Sequence, residues 1–193
     1  MIDFDKIWVE KYRPTTLDDI ILDERTLKQV KEFKEEIPNL LFVGNPGTGK
    51  TTLARIIVND MLGCNYLYIN ASDESGIDTI RHNITNFAQT KSFDGKVKVV
   101  ILDEADGLTT QAQAALRNTM ETYAKYCRFI LTANYKHKII PAVQSRCQAL
   151  DIKPVVELAV KRCYNILKNE NIKVPEEQKK KFVQLVKRHF PDL

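Results

Sequence analysis

No apolar run in this sequence approaches the ~20 residues that a membrane-spanning helix requires, so no membrane partner is expected. Residues 1–6, Met-Ile-Asp-Phe-Asp-Lys, lack the basic and apolar regions of a secretory signal. Cysteine is scarce. The four present, Cys64, Cys127, Cys147 and Cys163, are far apart and form no C-x-x-C pair. That excludes a disulfide framework or a zinc knuckle and predicts reduced, mostly buried thiols in a cytoplasmic protein. Histidine is scarcer still: His82, His137 and His189 are scattered, which excludes a clustered transition-metal site. Neither sign of charge dominates. A net charge of +4 and a pI near 8.8 permit a nucleic-acid partner without requiring one. What is present is a 193-residue chain that is 44% hydrophobic, enough to bury one large core beside a small second domain.

Three of the seven glycines fall in one stretch, Gly44-Asn45-Pro46-Gly47-Thr48-Gly49-Lys50-Thr51. An apolar run, Leu40-Leu41-Phe42-Val43, precedes it and reads as a buried strand; Thr52-Leu53-Ala54-Arg55-Ile56-Ile57-Val58 follows and reads as the start of a helix. Strand, glycine loop with Lys-Thr, then helix is the context in which a G-x-x-x-x-G-K-[ST] pattern cradles phosphate. Gly44, Gly47 and Gly49 let the backbone turn its N–H groups toward phosphate oxygens, and the helix start adds a positive dipole end. Lys50 reaches the β/γ-phosphates and Thr51 supplies a hydroxyl to Mg²⁺, with Asn45, Pro46, Thr48 and Thr52 completing the wrap. The stretch predicts a nucleoside-triphosphate site.

Along the chain, residues 7–14 form an aromatic, basic arm that Pro14 is expected to keep extended. Residues 26–36 carry Leu27, Val30 and Phe33 at helical spacing. A second strand is expected at 66–69, then a capping-rich run at 70–76 opening a helix with Ile77, Ile80, Ile84 and Phe87 on one face. Val97 to Leu102 form an apolar central strand around Lys98, and Asp103-Glu104 follow where it ends, the end at which open α/β sheets bind ligands. One acid there can hold Mg²⁺ and the next can accept a proton from an attacking water; Asp103 is assigned to the metal and Glu104 to the water. A helix over 110–124 leads to a strand at 128–133 ending in Asn134. That asparagine either touches the γ-phosphate or its water, or serves as an ordinary turn residue. A last strand at 149–152 completes a five-stranded parallel α/β sandwich. Pro154 marks a boundary. Residues 153–193 hold ten Lys/Arg against five Asp/Glu, so they carry +5 and leave about −1 for residues 1–152. Two helices, at 155–167 and 176–189, form this small basic domain.

Six ordered motifs now resemble those of a known family: Trp8-Val9-Glu10-Lys11-Tyr12-Arg13-Pro14, the phosphate loop, Asn70-Ala71-Ser72-Asp73, Asp103-Glu104-Ala105-Asp106, Thr132-Ala133-Asn134 and Ser145-Arg146-Cys147. Together they resemble the small clamp-loader ATPase subunits of the AAA+ class, the replication factor C small-subunit type. The stretches at 84–88, 92–95 and 189–192 look closest to tailed-phage versions, which would place the protein in a host cytoplasm. The resemblance implies that Val9, Tyr12, Arg13 and Ile21 wall the adenine pocket. It implies that Asn134 is the sensor asparagine and that Arg146 is an arginine finger entering a neighbouring subunit's ATP site. It also implies partners: other loader subunits, a sliding clamp and primer–template DNA. Backbone contacts to that DNA fall to Ser75, Gly76 and Arg81 at a helix start, although Arg81 also reads as a solvated arginine.

The sequence departs from the family in three places. Asn45 stands where Pro or Ser is usual. The sensor arginine beyond the Phe-Pro-Asp segment is missing, and so is the C-terminal collar, so 153–193 read as an incomplete lid of a fragment or truncated frame. The expected function is an ATPase motor that loads a sliding clamp. The alternatives are another AAA+ remodeller such as a helicase loader, or a nucleotide-gated module that does not hydrolyse. The letters at 103–106 also spell the DEAD-box signature, but such helicases use two motor domains and further motifs, for which 193 residues leave no room.

Overall fold

The structure, a computed structural model, describes residues 7–72, 77–90 and 95–191. In chain order it comprises α1 (Trp8–Lys11), α2 (Glu24–Glu32), β1 (Leu40–Val43), α3 (Lys50–Ile56, continued by a π-helical turn at Ile57–Met61), β2 (Tyr66–Asn70), α4 (Ile77–Gln89), β3 (Lys98–Asp103), α5 (Thr110–Thr122), β4 (Cys127–Ala133), α6 (Pro141–Gln144), β5 (Gln148–Asp151), α7 (Val156–Asn169) and α8 (Glu176–His189). Short 3₁₀ turns at Ala105–Gly107 and Lys136–Lys138 follow β3 and β4. Local chemistry sets several of these starts. The Asp23 carboxylate accepts from the Thr26 N–H ahead of α2, and the Thr109 hydroxyl accepts from the Ala112 N–H ahead of α5.

The five strands form the parallel sheet expected from the sequence, in the order β2-β3-β4-β1-β5. Its two faces are both covered, which is why the strands read as nearly continuous apolar runs. Alternate residues feed two cores. Leu41, Val100, Leu102, Phe129 and Leu131 pack with Ile84 of α4, Leu116 and Met120 of α5, and Val143 of α6. Leu40, Phe42, Val99, Ile101, Ile130 and Leu150 pack with Val30 of α2 and with Leu53, Ala54 and Ile56 of α3. Helices α7 and α8 lean on each other through the Tyr164 and Phe182 rings, 4.5 Å apart.

One expectation fails. The arm at 7–14 is not extended: Trp8–Lys11 is a helical turn, with the Ile7 carbonyl accepting from the Glu10 and Lys11 N–H groups at 3.0 Å. The steric restriction of a proline reaches only the residue before it, here Arg13, and leaves residues 8–11 free to coil. Ser75 and Gly76 lie outside the described residues, as does the side chain of Arg81.

Candidate active site

Parallel register puts the carboxyl ends of β1, β4 and β5 side by side, with Val43 opposite both Ala133 and Asp151. The glycine loop leaves the sheet at that end. The Gly44 N–H donates to the Ala133 carbonyl at 3.3 Å, and a Cβ at Gly44 would lie 2.6 Å from the Ile152 carbonyl oxygen, so only glycine fits there. Gly47 and Gly49 adopt φ of +77° and +86°, and Gly49 opens α3 directly. The loop therefore curls over the first residue of the helix, Lys50, which is 8% exposed. Its ammonium donates to the Gly44 carbonyl at 2.8 Å, to the Asn45 carbonyl at 2.9 Å and to Asn134 Oδ1 at 2.8 Å. Burial lowers the Lys50 pKa, while Asp103, Asp106 and Glu104 oppose that shift. Asn134 thus meets the loop's lysine through its amide oxygen. Asp106 fixes it in turn, accepting from the Asn134 and Tyr135 N–H groups at 3.2 Å.

Asp103 ends β3, and three hydroxyls converge on its buried carboxylate. Thr51 donates at 2.8 Å from Oδ1 and 3.0 Å from Oδ2, Thr132 bonds Oδ1 at 2.6 Å, and Tyr68 bonds Oδ2 at 2.7 Å. Among the described residues no ion pair is made to it. Burial, then the bond to Asp103, push the Tyr68 phenol up to about 12, which keeps it a donor. A threonine hydroxyl beside a carboxylate is a hard oxygen pair suited to Mg²⁺. Among the described residues no cluster of three His, Cys, Asp or Glu side chains could hold a metal ion. An ion that takes few protein ligands and completes its shell with phosphate oxygens and water needs no such cluster. Glu104 follows, exposed, in the left-handed conformation at φ +54° and ψ +41°. Its N–H is held by Thr132 Oγ1 at 3.0 Å, and its carbonyl accepts from the Gly107 N–H at 2.8 Å.

A cavity of about 570 Å³ borders the loop. Val9, Tyr12, Arg13 and Ile21 all line it, together with Gly47, Thr48, Gly49 and Thr52. The sequence had not pointed to its far wall, which comes from α7 and α8 and includes Ala159, Arg162, Cys163 and Phe182. Arg146 stands elsewhere, in the turn before β5. Its guanidinium pairs with the Glu121 carboxylate, with Nε at 2.8 Å from Oε1, and donates to the Ala142 carbonyl at 2.6 Å. Tyr68, Thr132, Asp106 and Arg162 are the site residues that sequence reasoning did not assign. Thr132 and Asp106 carried a signal, each standing within one of the six motifs, but neither was given a role.

Residues 40–154 match the family model described as "ATPase family associated with various cellular activities (AAA)". The chain is 48% identical over 180 residues to the replication factor C small subunit of Archaeoglobus fulgidus, covering 89% of this chain and 56% of that protein. It is 46% identical over 178 residues to replication factor C subunit 3 of Blastobotrys adeninivorans, covering 88% of this chain and 53% of that protein. The chain thus spans a little over half the length of these relatives. Among solved structures, RuvB of Thermotoga maritima superposes with a TM-score of 0.69 at 17% identity, over 92% of this chain and 64% of that one. That likeness concerns the fold.

Proposed function

The chain belongs to the AAA family of ATPases, and from that premise we propose that it binds Mg²⁺·ATP and hydrolyses it as a motor subunit of a sliding-clamp loader. Turnover would be coupled to placing a clamp on primer–template DNA, in an assembly with other loader subunits. The replication factor C relatives support the loader part of this reading. A tailed-phage source and DNA contacts through Ser75, Gly76 and Arg81 belong to the same proposal and rest on the sequence motifs. So does the division into a nucleotide-binding domain at 1–152 and the beginning of a lid at 153–193.

One observation carries the reading. The glycine loop borders an apolar cavity, walled by Val9, Tyr12, Arg13 and Ile21, and runs into a polar cluster built on Lys50, Thr51, Asp103 and Asn134. A nucleotide spans such a pair, base on one side and phosphates on the other. In this assignment the loop N–H groups and Lys50 take the phosphates, while Thr51 and Asp103 hold Mg²⁺, which when bound neutralises phosphate charge. Glu104 accepts the proton of the attacking water. Asn134, within hydrogen-bond range of Lys50, orients that water or the γ-phosphate. Thr132 and Tyr68 keep the Asp103 carboxylate aimed.

Substitution separates binding from chemistry. Lys50→Ala should abolish ATP binding, because no other cation in the loop can replace it. Glu104→Gln should retain ATP and lose turnover by about 10²-fold or more, since the amide keeps the shape but cannot accept a proton. Nucleotide binding and steady-state hydrolysis, measured within a complete loader, check both. Unchanged turnover in Glu104→Gln removes it as the base.

A further inference from the structure

We infer that Arg162, on α7, is the positioning residue of the nucleotide-base wall. The inference rests on reading the cavity as the nucleotide site and adds what holds that site's shape. Two separate segments line the base side: the arm, with Val9, Tyr12 and Arg13, and the turn that carries Ile20 and Ile21. Neither is part of the sheet. The arm's helical turn buries no residue, and Trp8 and Val9 are 42% and 66% exposed. Apolar packing therefore holds it weakly.

One guanidinium grips both segments. Arg162 Nη2 donates to the Tyr12 carbonyl at 2.9 Å, Nη1 donates to the Asp19 carbonyl, and the Asp19 carboxylate lies 3.7 Å from Nη1. These partners are 150 and 143 residues away in sequence. At the C-terminal end of the same helix, Glu170 accepts from the Tyr12 hydroxyl at 2.6 Å and from the Lys11 ammonium at 2.7 Å. The 3.7 Å pair with Asp19 alone would contribute little, as surface ion pairs do. The two bonds to main-chain carbonyls are a different matter, because they are charge-assisted, partly buried and fixed by the planar fork of arginine. The base wall is thus fastened to α7, and a rotation of α7 carries Tyr12 and Ile21 with it while the phosphate loop stays on the sheet.

The test uses a ligand without a base. ATP and inorganic tripolyphosphate, each with Mg²⁺, are titrated against the full chain as wild type, Arg162→Ala, Arg162→Lys and Glu170→Gln. Arg162→Ala should weaken ATP by about tenfold or more, the scale of one or two lost charge-assisted hydrogen bonds, and leave tripolyphosphate unchanged. Arg162→Lys, able to satisfy one carbonyl but not both, should fall between. Glu170→Gln keeps an acceptor for Tyr12 but loses the charge facing Lys11, and should cost less than Arg162→Ala. Unchanged tripolyphosphate affinity also reports that the variants are folded. Unaltered ATP affinity in Arg162→Ala, or equal weakening of both ligands, overturns the inference. A wild-type chain that binds neither ligand overturns the site reading and this inference with it.

Discussion

Glu104 stands at a conformation that a side chain disfavours. With φ at +54° it occupies the left-handed region, at a cost of roughly 1–2 kcal/mol for an L residue. The strain persists because the backbone is held on both sides, by Thr132 Oγ1 at its N–H and by Gly107 at its carbonyl. It turns the chain sharply as it leaves β3, so that Asp103 and Glu104 do not follow one straight line. Glycine at this position would relieve the strain but add about 0.5–1 kcal/mol of chain entropy in the unfolded state. The first term is the larger. Glu104→Gly should therefore unfold in urea at an equal or higher midpoint, by up to about 1 kcal/mol, while losing the proposed base. A clear loss of stability would mean that the Glu104 side chain supports the fold. The acids themselves were legible, since two carboxylates at the end of an apolar strand after a phosphate loop leave few other readings. Their supports were not. Tyr68 and Thr132 lie 35 and 29 residues from Asp103 in sequence, and only the pairing of β2 and β4 with β3 brings them to it.

Among the elements, strands and helices with one dominant periodicity read correctly, because each buries a face or a whole strand against the sheet. The arm did not, because no burial decides its conformation and a single proline speaks only for its neighbour. Lys98 is the other element-scale surprise. It opens a central strand, as the first residue of β3, and is nevertheless 4% exposed. Its ammonium collects the carbonyls of Phe87, Ala88 and Thr90 at the end of α4 and lies 5.0 Å from the Phe87 ring centroid. A cation at a helix C-terminus satisfies orphan carbonyls and opposes the dipole's negative end. Lys98→Met would keep the stem's packing and leave those carbonyls without their donor. It should destabilise by about 2–4 kcal/mol, lowering Tm by roughly 5–15 °C at this chain length. Hydrogen exchange should localise the loss to the last turn of α4. A Tm within a degree or two of wild type would mean that water replaces the ammonium there.

At the scale of the molecule, the sheet decides which phosphates Arg146 can reach. β1 and β5 run parallel, with Leu40 opposite Gln148 and Val43 opposite Asp151. The glycine loop leaves the carboxyl end of β1, whereas Arg146 precedes the amino end of β5. Gly44 lies four residue positions past the level of Gln148, roughly 13 Å at 3.3 Å per residue, and Arg146 sits in the turn before that strand start. A side chain does not cover that distance to its own loop. Asn39 anchors the turn at this far end, donating to the Arg146 carbonyl at 3.3 Å and accepting from the Phe129 N–H at 3.0 Å. The guanidinium lies at the surface on Glu121, an exposed pairing of the kind that is released at little cost. A finger that serves a neighbouring subunit needs this combination: a rigid base, an outward position and a weak partner. On the finger role proposed for Arg146, removing it withdraws transition-state charge stabilisation, worth on the order of 10³-fold or more in related phosphoryl transfers, without touching the binding loop. Arg146→Ala should thus bind ATP with near-normal affinity and fail to activate the adjoining site, and the chain alone should hydrolyse ATP feebly even unmutated. Mixing decides the matter. An Arg146→Ala chain supplies an intact loop and a Lys50→Ala chain supplies an intact finger, so the two combined in a loader assembly should recover hydrolysis that neither has alone. Lost ATP affinity in Arg146→Ala, with no recovery on mixing, would assign this arginine to the fold of its own subunit.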